Sequence, residues 1–356
     1  MEFDAVVTAK GTAGAAVAGT DDLAAALEGG GLTARFAAAG RSPEPLPTTA
    51  DPTIGPAELR AMQALASRVW ARHPSLVNTG ATVGELAWNW GSNRRRSGSK
   101  WRSRLLREGA DVVAWGWLSP PELVRVSADR LERSDASLIW QVHPDRPELL
   151  GGLLDWLDDE AGDTARETTA RAEDAAALEQ LRRHGYEQDA GAPWSALNLR
   201  SLDDIAEPRL PAGFSMQTMA RLGDVSRRVA VHRAAWHPSG LREEIYADVM
   251  ATWPYRAELD VVVQAPDGSL AASVLAWYDE ATGVGEFEPV GTHPAHRRQG
   301  LGRAASLFAM QALRELGAAA VAVSCRGDDD YPAPRRLYES AGFRRAASDL
   351  VFRKRT

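Results

Sequence analysis

The chain has 356 residues, of which 44% are hydrophobic and 25% charged, with a formal net charge of −7. That length exceeds one ordinary domain and predicts two domains plus an extension. The longest apolar runs fall short of the roughly 20 residues that a membrane span needs, and the single cysteine, Cys325, excludes an intrachain disulfide and a cysteine-based metal site. The acidic balance, together with a start (Met1-Glu2-Phe3-Asp4) lacking a basic signal region, predicts a cytoplasmic protein with no nucleic-acid or membrane partner, and suits a cationic substrate.

Taken in chain order, residues 1–55 read as an Ala/Gly/Thr-rich extension, with a short helix over Asp21–Leu27 and a proline-rich linker over 41–56. A helix is expected over Pro56–Trp70, with Leu59, Met62, Leu65, Ala66 and Val69 on one side. Strands are expected over Gly84–Trp90, Val112–Leu118, Ser137–Val142, Thr164–Ala170 and Trp194–Leu199. Helices fall at Glu148–Asp158 and at Asp174–His184, the latter ended by Gly185. Residues 201–211, with two prolines, form a linker. The pattern then restarts: strand Phe214–Met219, helices Asp224–Trp236 and Leu241–Thr252, and a hairpin of Leu259–Gln264 with Leu270–Tyr278 about Pro266-Asp267-Gly268-Ser269. Strand Gly285–Thr292, helix Gly300–Leu316, strand Ala319–Ser324, helix Pro334–Ser340 and strand Ser348–Arg353 complete it. This order predicts an α/β (α+β) fold with a mixed, mostly antiparallel sheet flanked by helices.

One run carries the most chemistry: His293-Pro294-Ala295-His296-Arg297-Arg298-Gln299-Gly300-Leu301-Gly302-Arg303. It lies between an expected strand and an amphipathic helix, so it places a glycine turn with free N–H groups at a helix start, a site suited to a diphosphate. Gly300 and Gly302 allow close approach, and Arg297, Arg298 and Arg303 add charge-assisted contacts. Thirty-eight residues beyond Gly300 stands Tyr338, within Arg336-Leu337-Tyr338-Glu339-Ser340-Ala341-Gly342-Phe343.

These two segments resemble the Arg/Gln-x-x-Gly-x-Gly/Ala signature and the closing Leu-Tyr-Glu-x-x-Gly-Phe segment of the GNAT acyl-CoA N-acyltransferases, a likeness covering about Leu210–Arg355. The resemblance implies that acetyl-CoA is the cosubstrate and that residues Arg297, Arg298, Gln299, Gly300, Leu301, Gly302 and Arg303 hold its diphosphate. It implies that Val290, Gly291 and Thr292 offer backbone groups to the pantetheine arm, the N–H near Val290 serving as oxyanion donor. By the same resemblance Tyr338 protonates the departing sulfur. Glu286 and Glu288 share a strand face at period two and are the candidates for the general base, with a water chain as the alternative. Where the family often has asparagine seven residues before the tyrosine, this chain has Tyr331.

A weak internal repeat points to two tandem GNAT-like folds. Val142-His143-Pro144 matches Thr292-His293-Pro294 at an offset of 150, and Gly185-Tyr186 matches Gly342-Phe343 at 157. On those registers Pro147 stands for Arg297, Leu150 for Gly300 and Leu181 for Tyr338, so the first copy reads as degenerate. The expected organisation is an extension (1–55), a degenerate GNAT-like domain (56–200), a linker (201–211) and an acetyltransferase domain (212–356).

Of the twelve tryptophans, nine lie at or before Trp194. Trp88 with Trp90, and Trp115 with Trp117, each read as one strand face in a core or interdomain seam. Trp236, Trp253, Trp277, His232 and His237 are candidates for an acceptor pocket. Arg94-Arg95-Arg96 reads as a solvated loop, and Asp328-Asp329-Asp330 as a loop without a metal-ligand set. The sequence thus points to transfer of an acetyl group to a primary amine of a small molecule or peptide by direct attack, in a monomer or homodimer. A non-catalytic acetyl-CoA-binding sensor or scaffold, and a tRNA-dependent aminoacyl transferase, are the alternatives.

Overall fold

The computed structural model describes residues 54–127 and 130–355. The expected helix over Asp21–Leu27 and nearly all of the 1–55 extension lie outside them. Among the described residues the backbone forms one twelve-stranded sheet and a separate two-stranded sheet of β3 and β4 (Leu123–Ser127, Arg130–Arg133). The large sheet runs β1 (Arg102–Glu108), β2 (Asp111–Ser119), β5 (Ala136–Val142), β6 (Arg166–Arg171), β14 (Arg344–Lys354), β8 (Ser195–Ser201), β13 (Ala320–Arg326), β12 (Val284–Thr292), β11 (Leu270–Asp279), β10 (Asp260–Gln264) and β9 (Ser215–Thr218). The two-residue strand β7 (Glu187–Gln188) joins beside β14. Pairing is antiparallel except at two places, β5 with β6 and β12 with β13. The helices, in chain order, are α1 (Pro56–Trp70), α2 (Val83–Ser97), α3 (Leu149–Ala161), α4 (Ala175–Arg183), α5 (Met219–Leu222), α6 (Val225–Ala235), α7 (Glu243–Met250), α8 (Leu301–Glu315) and α9 (Ala333–Ser340).

Each half of the chain contains one parallel crossover, β5–α3–β6 in the first and β12–α8–β13 in the second. The final strands are exchanged. The last strand of the first half, β8, pairs with β13 of the second, and the last strand of the chain, β14, pairs with β6 of the first. Burial follows the exchange. Phe352 of β14 packs into the first-half core with Trp140, Leu154, Leu157 and Leu181, whereas Leu197 and Leu199 of β8 pack with Val284, Ala320 and Ala322. The two halves therefore share one continuous sheet.

Local chemistry sets most element ends. Asp174 and Asp224 cap α4 and α6, accepting the N–H groups of Ala177 (2.9 Å) and Arg227 (3.0 Å). The hairpin turn closes through Ala265 and Ser269, with Asp267 accepting the Ser269 N–H and Gly268 at φ 87°. Helices α6 and α7 are fixed to β10 by a group in which the fully buried Arg228 donates to the fully buried Asp260 at 2.7 Å and the Tyr246 and Tyr255 hydroxyls donate to the same carboxylate.

Two expectations are corrected. Gly84–Trp90 is not a strand but the first half of helix α2. This helix is wedged between the halves and buried on most of its circumference, so its apolar residues lose the 3.6-residue period that would mark it. Trp88 and Trp90 consequently do not share a face. Trp88 packs with Tyr246, Val249 and Trp277 of the second half, and Trp90 with the α1 core, its ring N–H on the Ile54 carbonyl at 2.8 Å. Arg94–Arg96 is not a loop but the last turn of α2, where Arg94 and Arg95 both bond Asp248 of α7. The seam reading does hold for these tryptophans. Trp115 and Trp117 lie in one core with Trp90 and Trp101.

Candidate active site

The glycine turn forms as its residues require. Gly300, at φ 79°, caps α8 in the left-handed region, and Arg298, at φ 63°, is the one non-glycine residue with positive φ among the described residues. The first helical bond runs from the Ala304 N–H to the Gly300 carbonyl, which leaves the amides of Leu301, Gly302 and Arg303 without an intrahelical acceptor. Residues 297–300 are exposed. Gly302 is buried, and a Cβ there would lie 3.2 Å from the Thr292 hydroxyl and 3.4 Å from Leu337. Arg297 is drawn inward, donating to the carbonyls of Thr292 (3.3 Å) and Ala235 (3.2 Å), while Arg303 donates to Ser340 (2.8 Å) and ties the turn to α9. Open amides, arginines and a helix start lie together here, and this donor set fits a diphosphate.

The strand leading to this turn is open along one edge. β12 pairs with β13 only from Val284 to Glu286, so beyond Glu286 the two parallel strands diverge. On its other side β12 stays paired with β11, interrupted by a bulge in which Glu288 and Pro289 oppose Leu275. The bulge is held by the Trp277 ring N–H, which donates to the Glu288 carbonyl at 2.7 Å. His293 donates its N–H to the Ala271 carbonyl on β11 at 2.8 Å. Strand alternation then turns the N–H groups of Thr292 and Val290 away from β11, into the gap between β12 and β13, and that of Gly291 toward β11. Gly291 approaches α6 closely: a Cβ there would lie 2.8 Å from Ala235 Cβ and 3.1 Å from the Trp236 ring nitrogen.

Phe287 points into the α8 core, so Glu286 and Glu288 face the opposite side, toward α2. Burial raises the Glu286 pKa to about 7, against the pull of donors from Thr82 and from the Gly84 and Glu85 amides. Burial, and then the neighbouring Glu286, also raise Glu288 well above the usual carboxylate range. Tyr338, on α9, is 6% exposed and rests edge-on against Phe343. Burial first, then the nearby Glu288, hold its hydroxyl protonated far above neutral pH.

Sequence reasoning missed the first half's contribution. Thr82 donates its hydroxyl to Glu286 Oε1 at 2.5 Å, and the Gly84 N–H donates to Oε2 at 2.7 Å. Glu85, in the first turn of α2, joins the same cluster, its pKa raised by burial and then by Glu288 and Glu286. No signal near residue 85 points to partners 200 positions away. Among the aromatic candidates, Trp236 is 46% exposed beside Gly291. Trp277 is fully buried beneath Glu288, and Trp253 lies under the Arg60 guanidinium. His237 is exposed, whereas His232 is buried between the rings of Trp88 and Trp236. Asp328 and Asp329 are ion-paired with Arg326 and Arg335. No group of three or more metal-ligating side chains occurs among the described residues, and none of their helices is long and apolar enough to cross a membrane.

The corresponding place in the first half has the same backbone plan and different chemistry. β5 and β6 pair only over Ala136–Leu138 and then diverge. A cavity of about 90 Å³ follows, lined in part by Trp140, His143, Pro147 and Leu150. Glu148 stands at the start of α3, ion-paired with Arg146, and no left-handed glycine precedes the helix.

An open strand edge, a turn of free amides at a helix start and a buried, protonated tyrosine thus lie along β12, α8 and α9 of the second half. Residues 229–343 match the sequence model of the acetyltransferase (GNAT) family. A mycothiol acetyltransferase of Kineococcus radiotolerans is 33% identical over 156 residues, 42% of this chain and 49% of that protein. One from Geodermatophilus obscurus is 27% identical over 219 residues, 57% and 68% of the two chains. The chain thus spans about half the length of the first of these relatives. Two solved structures share the fold across both halves. A GCN5-related N-acetyltransferase from Sphaerobacter thermophilus has a TM-score of 0.55 at 19% identity, covering 87% of this chain and 96% of that one. A tandem GNAT protein from the clavulanic acid biosynthesis pathway has a TM-score of 0.57 at 15% identity, covering 87% and 98%.

Proposed function

We propose that this protein transfers the acetyl group of acetyl-CoA to the primary amine of a small, cationic molecule by direct attack within a ternary complex. The observation that carries this reading is the open β12 edge beyond Glu286 with Glu288 beside Tyr338, Glu286 lying next to Glu288 on the same face. The diphosphate would rest on the amides of Leu301–Arg303 with Arg297, Arg298 and Gln299 around it, and the pantetheine arm along Val290, Gly291 and Thr292. The cosubstrate supplies an activated carbonyl carbon.

An alkylammonium with a pKa of about 10 reaches the site protonated. Glu286 takes that proton, directly or through a water, and a carboxylate with a pKa near 7 is suited to do so at neutral pH. The freed nitrogen forms its bond to the carbonyl carbon while the Val290 N–H receives the charge growing on the carbonyl oxygen. As the carbon–sulfur bond breaks, Tyr338 donates its proton to sulfur. Glu288 and Glu85, held protonated by burial, offer hydrogen-bonding carboxyl groups near the acceptor, and Trp236 offers an exposed ring beside Gly291 for its body. The naming of the sequence relatives as acetyltransferases of a small thiol favours a small-molecule acceptor over a peptide.

On this reading the segments 56–200 and 212–356 are two copies of one unit, the first without a diphosphate cradle. The deciding assay follows thiol release from acetyl-CoA over a panel of primary amines. Turnover with at least one small cationic amine, abolished in Glu286→Gln, is expected. Tight acetyl-CoA binding with no release for any amine would instead make the protein a binding module.

A further inference from the structure

Helix α2 belongs to the first half, yet its start is capped from the second. Thr82 occupies the N-cap position, but its side chain makes no bond to its own helix and is instead on Glu286 Oε1. The Gly84 amide holds Oε2, so each oxygen of the Glu286 carboxylate has its own donor. The contact admits no slack. A Cβ at Gly84 would lie 2.6 Å from Glu286 Oε2 and 2.7 Å from the Trp277 ring.

The segment that delivers Thr82 is itself fixed at the strand exchange. The Thr79 N–H donates to Asp349 Oδ2 of β14 at 2.7 Å, and Arg171 Nε of β6 donates to the Val77 carbonyl at 2.7 Å. Arg171 and Asp349 face one another at 3.4 Å, at 0% and 2% exposure. A buried ion pair at the junction of the two halves therefore holds residues 77–79, and residues 82–84 hold Glu286.

We propose that Thr82 is a positioning residue for acyl transfer: its hydroxyl, supplied by the half that lacks the cradle, keeps the Glu286 carboxylate oriented and charged so that it can receive the acceptor's proton. This rests on the reading of Glu286 as the base. The other charged or titratable groups facing Glu286 are Glu288 on its own strand, Asp279 on β11, Glu85 on α2 and Arg171 on β6. The three carboxylates and burial disfavour the charged form. Thr82, the α2 amides and, at longer range, Arg171 favour it.

The test is the pH profile of kcat/KM for acetyl transfer in the full chain, for the wild type, Thr82→Val and Thr82→Ser. Losing one hydrogen bond to a carboxylate should move the acidic limb of Thr82→Val up by about one pH unit. Acetyl-CoA affinity should stay within about threefold of wild type, and serine should return the limb to its place. A limb unmoved in Thr82→Val, whatever its plateau, overturns the proposal. If that variant does not fold, Thr82→Cys keeps the volume with a weaker donor and must shift the limb in the same direction. Should the wild type turn over no amine at any pH, the failure belongs to the proposed function. The Glu286 carboxylate titration, followed by carbon-13 NMR in wild type and variant, then decides the Thr82 assignment, and an unchanged midpoint rejects it.

Discussion

The two parallel crossovers, β5–α3–β6 and β12–α8–β13, share a backbone plan and differ in what they present at the helix start. Both pairs of strands run together for three residues and then part. In the second half the helix is preceded by Gly300 at φ 79° and flanked by arginines, so its free amides stand open to an anion. In the first, proline, leucine and an ion-paired glutamate fill the same place. A splayed sheet is thus a property of the fold, whereas the capacity to hold a diphosphate depends on a handful of residues at one turn. The first half nevertheless reaches into the second through the start of α2, where Thr82 and Gly84 hold Glu286.

The largest expected effect lies where the halves meet in function. Glu286→Gln should lower kcat/KM for acetyl transfer by about a thousandfold while leaving acetyl-CoA affinity unchanged, measured by turnover and calorimetry. For the wild type, kcat/KM should climb with pH and level off above about 7, because Glu286 must be deprotonated to accept a proton. At the junction, Arg171→Met leaves Asp349 as a buried charge without its partner and should cost about 3–5 kcal/mol in denaturant unfolding. If the exchanged strands do unite the halves, that loss appears as one cooperative transition rather than two. In the cradle, Gly300→Pro forbids the left-handed cap and should weaken acetyl-CoA binding more than tenfold, whereas Leu150→Gly at the matching first-half position should not add a second binding event. The helix caps supply the smallest effect. Asp174→Ala and Asp224→Ala should each destabilise by about 1 kcal/mol, equally in the two halves.

A separate pH test concerns His232. Burial, and then the charge of Arg228, lower its pKa to about 3. The unfolded chain takes up that proton near pH 6.5 and the folded one does not, so this residue favours folding above pH 6.5 and progressively less as pH falls toward 3. His232→Phe should therefore flatten the fall of Tm with acidification relative to wild type.

How far the sequence could be read depended on the range of the interactions involved. The glycine turn, the capped helices α4 and α6, the Asp267-Gly268 hairpin and the family resemblance of residues 297–303 and 336–343 all follow from neighbours in the chain, where backbone sterics and side-chain-to-backbone bonds act over a few residues. Glu286 and Glu288 were visible as a same-face pair for the same reason. Tertiary structure alone decided that α2 is a helix, because burial over most of its circumference erased its period, and that its first turn caps a carboxylate 204 positions away. It also decided the exchange of β8 and β14. A strand's choice of partner depends on which sheet edge is open when it docks, and that is a property of the assembled molecule rather than of the strand's own residues.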